Sequence, residues 1–265
     1  MHLDVRIPIG AMFTLFGALL ILFGVAILAL FVLWELRNQS PVLNIRILVK
    51  NRVFAFSNLA ALINYSATFA VTFFLSLYLQ YIQGYSPQAA GLILIVQPVV
   101  MALFASFSGS MADRTDPGRI ASFGMALSVI SLLLLVFIDE TTSLPYLIVC
   151  MIILGLGLAF FASPNTTAIM GSVERKFYSV ASGTLGTMRL VGQMLSMGIA
   201  TIILALFIGK VAITPDTYAR FLAGMRVAFV IFAVLCIAGI VFSLIRGKVN
   251  ESTTRSNEQP RSKRP

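Results

Sequence analysis

Few side chains in this sequence offer chemistry inside an apolar stretch, and the most suggestive fall on two segments. In the segment that opens at Phe54, the residues Asn58, Tyr65, Thr68, Thr72 and Ser76 recur at spacings of three, four and seven. A helix would hold them on one face. Their chemistry is hydrogen bonding, either to neighbouring helices or along a water-lined path for a solute, and the spacing fits both. In the segment that opens at Val180, Arg189 stands about nine residues in, near 13 Å of helical rise, too deep to snorkel freely. A guanidinium at that depth costs something like 3 kcal/mol. No Asp or Glu interrupts the apolar stretches, which leaves it Gln193 one turn on, Gln97, backbone carbonyls, or a carboxylate brought by another segment. Locking helices together and a substrate or gating role are both open to it.

Enzymatic chemistry is not supported. His2 is the only histidine, no cluster has metal-ligand spacing, and no nucleophile is paired with a base, so neither a metal nor a cofactor is expected. Cys150 and Cys236 lie within apolar runs, where a free thiol behaves as a small hydrophobe. Lys50, Lys176, Lys210, Lys248 and Lys263 all lie outside those runs. A seven-helix retinal protein or receptor would therefore lack its Schiff-base lysine.

The elements that must position these groups follow from composition. Of 265 residues, 58% are hydrophobic and 11% charged, far below the roughly 25% charged share of a soluble domain. A membrane-crossing helix needs about 20 mainly apolar residues. Seven stretches qualify: Pro8 to Trp34, Phe54 to Leu79, Ala89 to Met111, Ile120 to Ile138, Pro145 to Asn165, Val180 to Phe207 and Phe221 to Ile245. The first exceeds a signal-peptide core and lacks a small-residue cleavage site, so it reads as a retained span. The expected class is an all-α integral membrane bundle.

The formal charge of +9 sits between and after the apolar runs, where anionic lipid headgroups, not nucleic acid, are the counterpart. Arg37, Arg46, Lys50 and Arg52, then Arg114 with Arg119, then Arg175 with Lys176, and the basic tail mark alternate connections as cytoplasmic. That puts the N-terminus outside and the C-terminus inside a cell membrane. The predicted division is a first helix over 1–34, a cytoplasmic loop over 35–53, a six-helix unit over 54–245 and a disordered basic tail over 246–265. An odd count of seven suits paired repeats poorly, and the expectation is an N-terminal portion that is missing or separately encoded.

Local features add packing expectations. Gly192, Ser196 and Ala200 form a small-residue ladder at four-residue spacing, for close helix approach. Pro98, Gly155, Gly157 and Pro164 are expected to interrupt helices. The nearly uniform apolar helices from Ile120 and from Phe221 are expected to face lipid, with Arg226 snorkelling at an end.

The segment Gly109-Ser110-Met111-Ala112-Asp113-Arg114-Thr115-Asp116-Pro117-Gly118-Arg119 reads as a tight charged turn, with Asp113 or Asp116 capping the next helix. It resembles the Gly-x-Leu-Ala-Asp-Arg-x-Gly-Arg signature of the major facilitator superfamily at Gly109, Ala112, Asp113 and Arg114; Met111 replaces Leu, and Asp116-Pro117 replaces Gly-Arg. Phe31 to Glu35, Pro41 to Asn44 and Asn51 to Phe54 are similar to the link entering the C-terminal domain of fourteen-helix drug:proton antiporters. Ser163-Pro164-Asn165, Val180 to Gly183, Arg189 and Gly192 resemble that branch's penultimate two-helix region, with Gln193 and Ser196 standing where small Gly-like residues are expected.

The resemblance implies the C-terminal six-helix domain of a proton-coupled multidrug efflux transporter working by alternating access, preceded by one extra helix. It implies that Asn58, Tyr65, Thr68, Thr72, Phe160 and Asn165 border the cavity. Gln97, Arg189 and Gln193 would lie at the interface or gate, and Gly109, Asp113, Arg114, Gly118 and Arg119 would form the cytoplasmic motif. Partners implied are membrane lipids, a lipophilic solute, protons, and a complementary N-terminal half or self-association. A truncated or split-gene subunit without independent transport is the alternative.

Overall fold

The computed structural model describes residues 22–24, 26–27, 30, 51–209, 211 and 213–245. The chain divides into two units, Met1–Arg46 and Ile47–Pro265. In the first unit the described residues are helical; the rest of the expected span from Pro8 to Trp34 lies outside the described residues. So do the loop from Glu35 to Lys50 and the tail from Lys248.

The second unit is built of helices that begin and end where side chains permit. Helix α1 (Arg52–Leu77) starts at Asn51, whose side chain accepts from the Phe54 amide, and it runs into a π turn over Tyr78–Ile82. Helices α2 (Pro87–Leu94) and α3 (Val96–Arg114) form one span broken at Ile95. The break is the interruption expected of Pro98, which has no N–H for the Leu94 carbonyl. Helix α4 (Pro117–Val136) starts with Pro117 in its first turn behind Asp116, whose Oδ1 accepts from the Gly118 amide at 2.8 Å. Helices α5 (Leu144–Gly171), α6 (Tyr178–Phe207) and α7 (Tyr218–Ile245) complete the unit. Six segments are long and apolar enough to cross a membrane among the described residues, matching the last six predicted spans.

Residue pairs fix the directions. Gly192 meets Leu62 and Ser196 meets Ala70, so α6 and α1 run parallel. Asn64 meets Cys236 and Phe74 meets Phe229, so α7 runs antiparallel to α1. In the same way α5 runs antiparallel to α4, with Ser131 bonded to the Cys150 carbonyl at 2.7 Å and the Tyr146 hydroxyl to the Leu134 carbonyl at 2.7 Å. Helices α1, α4, α5 and α7 make the packed centre; α3 lies on α5, and α6 lies chiefly on α1.

Two expectations change. The helices predicted to face lipid, α4 and α7, present apolar outer faces through Phe123, Ile130, Val234 and Val241, but their other faces are central. Ser122 and Ser243 bond across them at 2.9 Å, and Ser131 is fully buried. The most exposed spans are instead α3 and α6. Uniform apolarity does not separate a face in lipid from one packed on an apolar neighbour. The small residues Gly124, Ser128 and Ala121, not hydropathy, decide that α4 is central.

Gly155, Gly157 and Pro164 do not interrupt α5, which continues through all three. The two glycines serve close approach. A Cβ on Gly155 would lie 2.6 Å from the Gln97 carbonyl oxygen, and one on Gly157 would lie 2.8 Å from the Ser128 nitrogen. Gly124 answers Gly157: its own Cβ would lie 2.5 Å from the Phe161 nitrogen. At this crossing α4 and α5 touch main chain to main chain. Arg226, expected at a helix end, is exposed. Its guanidinium donates to the Ile138 carbonyl at 3.0 and 3.3 Å, tying α7 to the segment just after α4.

Candidate functional site

The polar face of α1 divides by depth of burial. Asn58 and Thr68 are buried, and each donates to its own helix, Asn58 to the Phe54 carbonyl and Thr68 to the Asn64 carbonyl. They are not available to a solute as they stand. Half-buried Thr72 instead reaches across to α3, its hydroxyl donating to Gln97 Oε1 at 3.2 Å. Ser76 accepts from Gln80 at 2.9 Å. Asn165 of α5 is buried and donates to the Ser57 carbonyl at 3.1 Å, joining α5 to α1.

Tyr65 is where helices converge. Its ring meets Phe161 of α5 edge-on at 6.4 Å, and the Arg189 guanidinium of α6 lies 5.1 Å from its centroid. The close approach of α6 makes this possible. At Gly192, less than one turn beyond Arg189, a Cβ would fall 2.6 Å from the Leu62 carbonyl oxygen and 3.0 Å from Tyr65 Cβ. The neutral partner foreseen for Arg189 is thus neither Gln97 nor Gln193: it is the face of a tyrosine, whose negative quadrupole attracts a cation. Gln193 is half-buried on α6.

Phe160 does not join this group. It packs with Phe107 of α3 at 6.2 Å and Phe123 of α4 at 5.6 Å, while the neighbouring Phe161 supplies the contact to Tyr65. Asn64 is a residue that the sequence reading missed. It is fully buried between α1 and α7, accepting from the Cys236 thiol at 4.0 Å. Among the described residues, two buried amide atoms have no hydrogen-bond partner, Asn58 Oδ1 and Asn64 Nδ2. Asn64 lies one turn before Thr68, at the same four-residue interval that joins Thr68, Thr72 and Ser76, so spacing alone could have added it to the polar face.

The motif segment is helical over most of its length, not a long turn. Gly109 to Arg114 are the last turns of α3, Gly118 and Arg119 belong to the first turn of α4, and only Thr115 and Asp116 connect them. Asp113 and Arg114 are exposed, Gly118 is buried, and Arg119 Nε lies 4.0 Å from Asp116 Oδ2. A Cβ on Gly109 would come within 2.9 Å of Ser163 Oγ, which explains the glycine by packing of α3 on α5.

The described spans form a bundle with many large apolar side chains on its outside, and among the described residues no group of acids, histidines or cysteines could hold a metal. The family model described as Major Facilitator Superfamily matches residues 57–265. The chain belongs to that superfamily. It is similar to the riboflavin transporter RibZ of Clostridioides difficile (strain 630), 32% identical over 169 residues, which cover 63% of this chain and 37% of the relative. It is also similar to the methylenomycin A resistance protein of Bacillus subtilis (strain 168), 29% identical over 191 residues, covering 71% and 41%. The multidrug resistance protein Stp of Mycobacterium tuberculosis (strain ATCC 25618 / H37Rv) is 24% identical over 177 residues, covering 67% and 33%. The chain thus spans less than half the length of these curated relatives. Membership makes it a facilitator-type membrane protein and not an enzyme.

Proposed function

We propose that this chain is the C-terminal part of a proton-coupled multidrug efflux transporter of the fourteen-helix branch, working by alternating access beside a complementary N-terminal half. One observation carries the reading. In a unit whose other spans pack closely, α3 and α6 stand on its flanks with most of their surface uncovered, and they bear Gln97, Arg189 and Gln193. A second helical half laid against both would bury them and enclose a path between. Relatives named for resistance to methylenomycin A and to multiple drugs support efflux of organic solutes. The relative named as a riboflavin transporter adds a planar aromatic solute to those worth testing.

Alternation of the basic connections supports an N-terminus outside, a C-terminus in the cytoplasm and residence in the cell membrane. In the described spans, Asp113 and Asp216 stand only near helix ends, so the proton-binding carboxylate belongs to the complementary half. The test is reconstitution. Vesicles containing this chain with a complementary half should expel a dye when a pH gradient is imposed, and vesicles containing this chain alone should not. Gradient-driven efflux by the chain alone would refute the division of labour.

A further inference from the structure

Resting on that transport reading, we infer that the Arg189–Tyr65 pair is a recognition subsite for the carboxylate of an aromatic organic anion. The guanidinium centre lies 5.1 Å from the Tyr65 centroid. The guanidinium also hydrogen-bonds the Tyr65 hydroxyl, which takes only part of its fan of five N–H donors. The two ion pairs among the described residues are Arg119 with Asp116 and Lys176 with Glu174, so neither involves Arg189. Arg226 makes an instructive comparison: it is exposed as well, but its donors are engaged by the Ile138 carbonyl, and Asp139 and Glu140 stand beside it. Arg189 has no such arrangement and is exposed on one of the two uncovered spans.

Position and rigidity strengthen the case. Arg189 stands 11 residues beyond the start of α6 at Tyr178, about 16 Å along the helix axis. Tyr65 is held from two sides, by the edge of Phe161 and by the α6 backbone at Gly192. The cation is therefore fixed in place by a ring and by main-chain packing, not by a carboxylate that a solute would have to displace. A planar guanidinium in that state matches a carboxylate two bonds at a time. A solute aromatic ring would find the half-buried Tyr65 close by. A lipophilic cation would meet a like charge there that no acid among the described residues of this chain pairs with.

The experiment uses the assembled transporter containing this chain, in proteoliposomes, with two xanthene probes of matched ring system: carboxyfluorescein, an anion, and rhodamine 6G, a cation. The wild type should move carboxyfluorescein saturably. Arg189→Gln should raise its KM about tenfold or more, the effect of losing a charge-assisted hydrogen-bond pair, while rhodamine 6G transport stays within about twofold; Arg189→Lys should fall between. Should the glutamine variant not reach the membrane, Tyr65→Leu reads the same site, raising the KM for the anion severalfold and sparing the cation. An equal loss for both probes in Arg189→Gln, or an unchanged KM for the anion, would overturn the subsite. A wild type that moves rhodamine 6G but not carboxyfluorescein overturns it and leaves the transport reading standing; one that moves neither removes both.

Discussion

Gly192 of α6 and Leu62 of α1 meet without a side chain between them: a Cβ on the glycine would lie 2.6 Å from the leucine carbonyl oxygen. Helices in lipid gain little from burying apolar surface against one another, so association depends on such close fit. The main chain of a parallel neighbour cannot swing aside as a flexible side chain can. Docking of α6, and with it the placement of Arg189 over Tyr65, therefore depends on one missing methyl group.

Replacement of Gly192 by Ala should destabilise the purified chain by about 1–3 kcal/mol, the usual cost of overpacking. Gly198 on the same helix has nothing within 4 Å of its would-be Cβ, and Gly198→Ala should stay within about 0.5 kcal/mol of the wild type. Unfolding in detergent compares the two directly. Equal effects would mean that α6 does not dock through Gly192.

The buried asparagines should separate as well. Asn165 donates across helices to Ser57, whereas Asn64 leaves its Nδ2 without a partner and only receives a long thiol contact. Asn165→Leu removes an interhelical bond, worth about 0.6 kcal/mol on average in membranes. Asn64→Leu removes an orphaned donor, and changes of that kind are near neutral or stabilising. Thermal unfolding of the two variants should rank Asn64→Leu above Asn165→Leu; the reverse order would show that Asn64 is satisfied in the membrane.

Asp139, in the connection between α4 and α5, is held below the usual carboxylate range by hydrogen bonds from the Thr141 side chain and amide and from Thr142, with a smaller contribution from Arg226. Since the folded value is the lower one, the ionised form favours the fold. That contribution is complete above the unfolded pKa near 3.8 and disappears as pH falls through the folded value. Thr141→Val removes the first of these bonds and should move the Asp139 titration upward toward the ordinary value, as followed by carboxyl-carbon NMR. An unmoved titration would assign the depression to the other donors.

The spans were legible because each must satisfy its own backbone in hydrocarbon, and six of the seven predicted stretches recur as helices with ends a few residues displaced. The ladder of Gly192, Ser196 and Ala200 was legible for a similar reason, since small residues at one-turn intervals have one main use in a membrane. Side-chain partners were not. A period of three and four tells which residues share a face but not what lies opposite, so Asn58 and Thr68 looked like cavity groups although both bond within their own helix. Phe160 and Phe161 are one residue apart and indistinguishable by type, yet about 100° of helical turn sends one to Phe107 and Phe123 and the other to Tyr65. The motif around Gly109 was recognisable as letters while its shape was misjudged, because Ala112 to Arg114 suit a helix end as readily as a turn.

At Gly124 and Gly157 no layer of side chains separates α4 from α5. Such a joint has little compliance, because sliding would drive peptide groups into one another, and it resists movement of one helix along the other. Bending is easiest where the hydrogen-bond ladder already lacks a rung: at Ile95, where α2 gives way to α3 ahead of Pro98, and at Pro164 within α5.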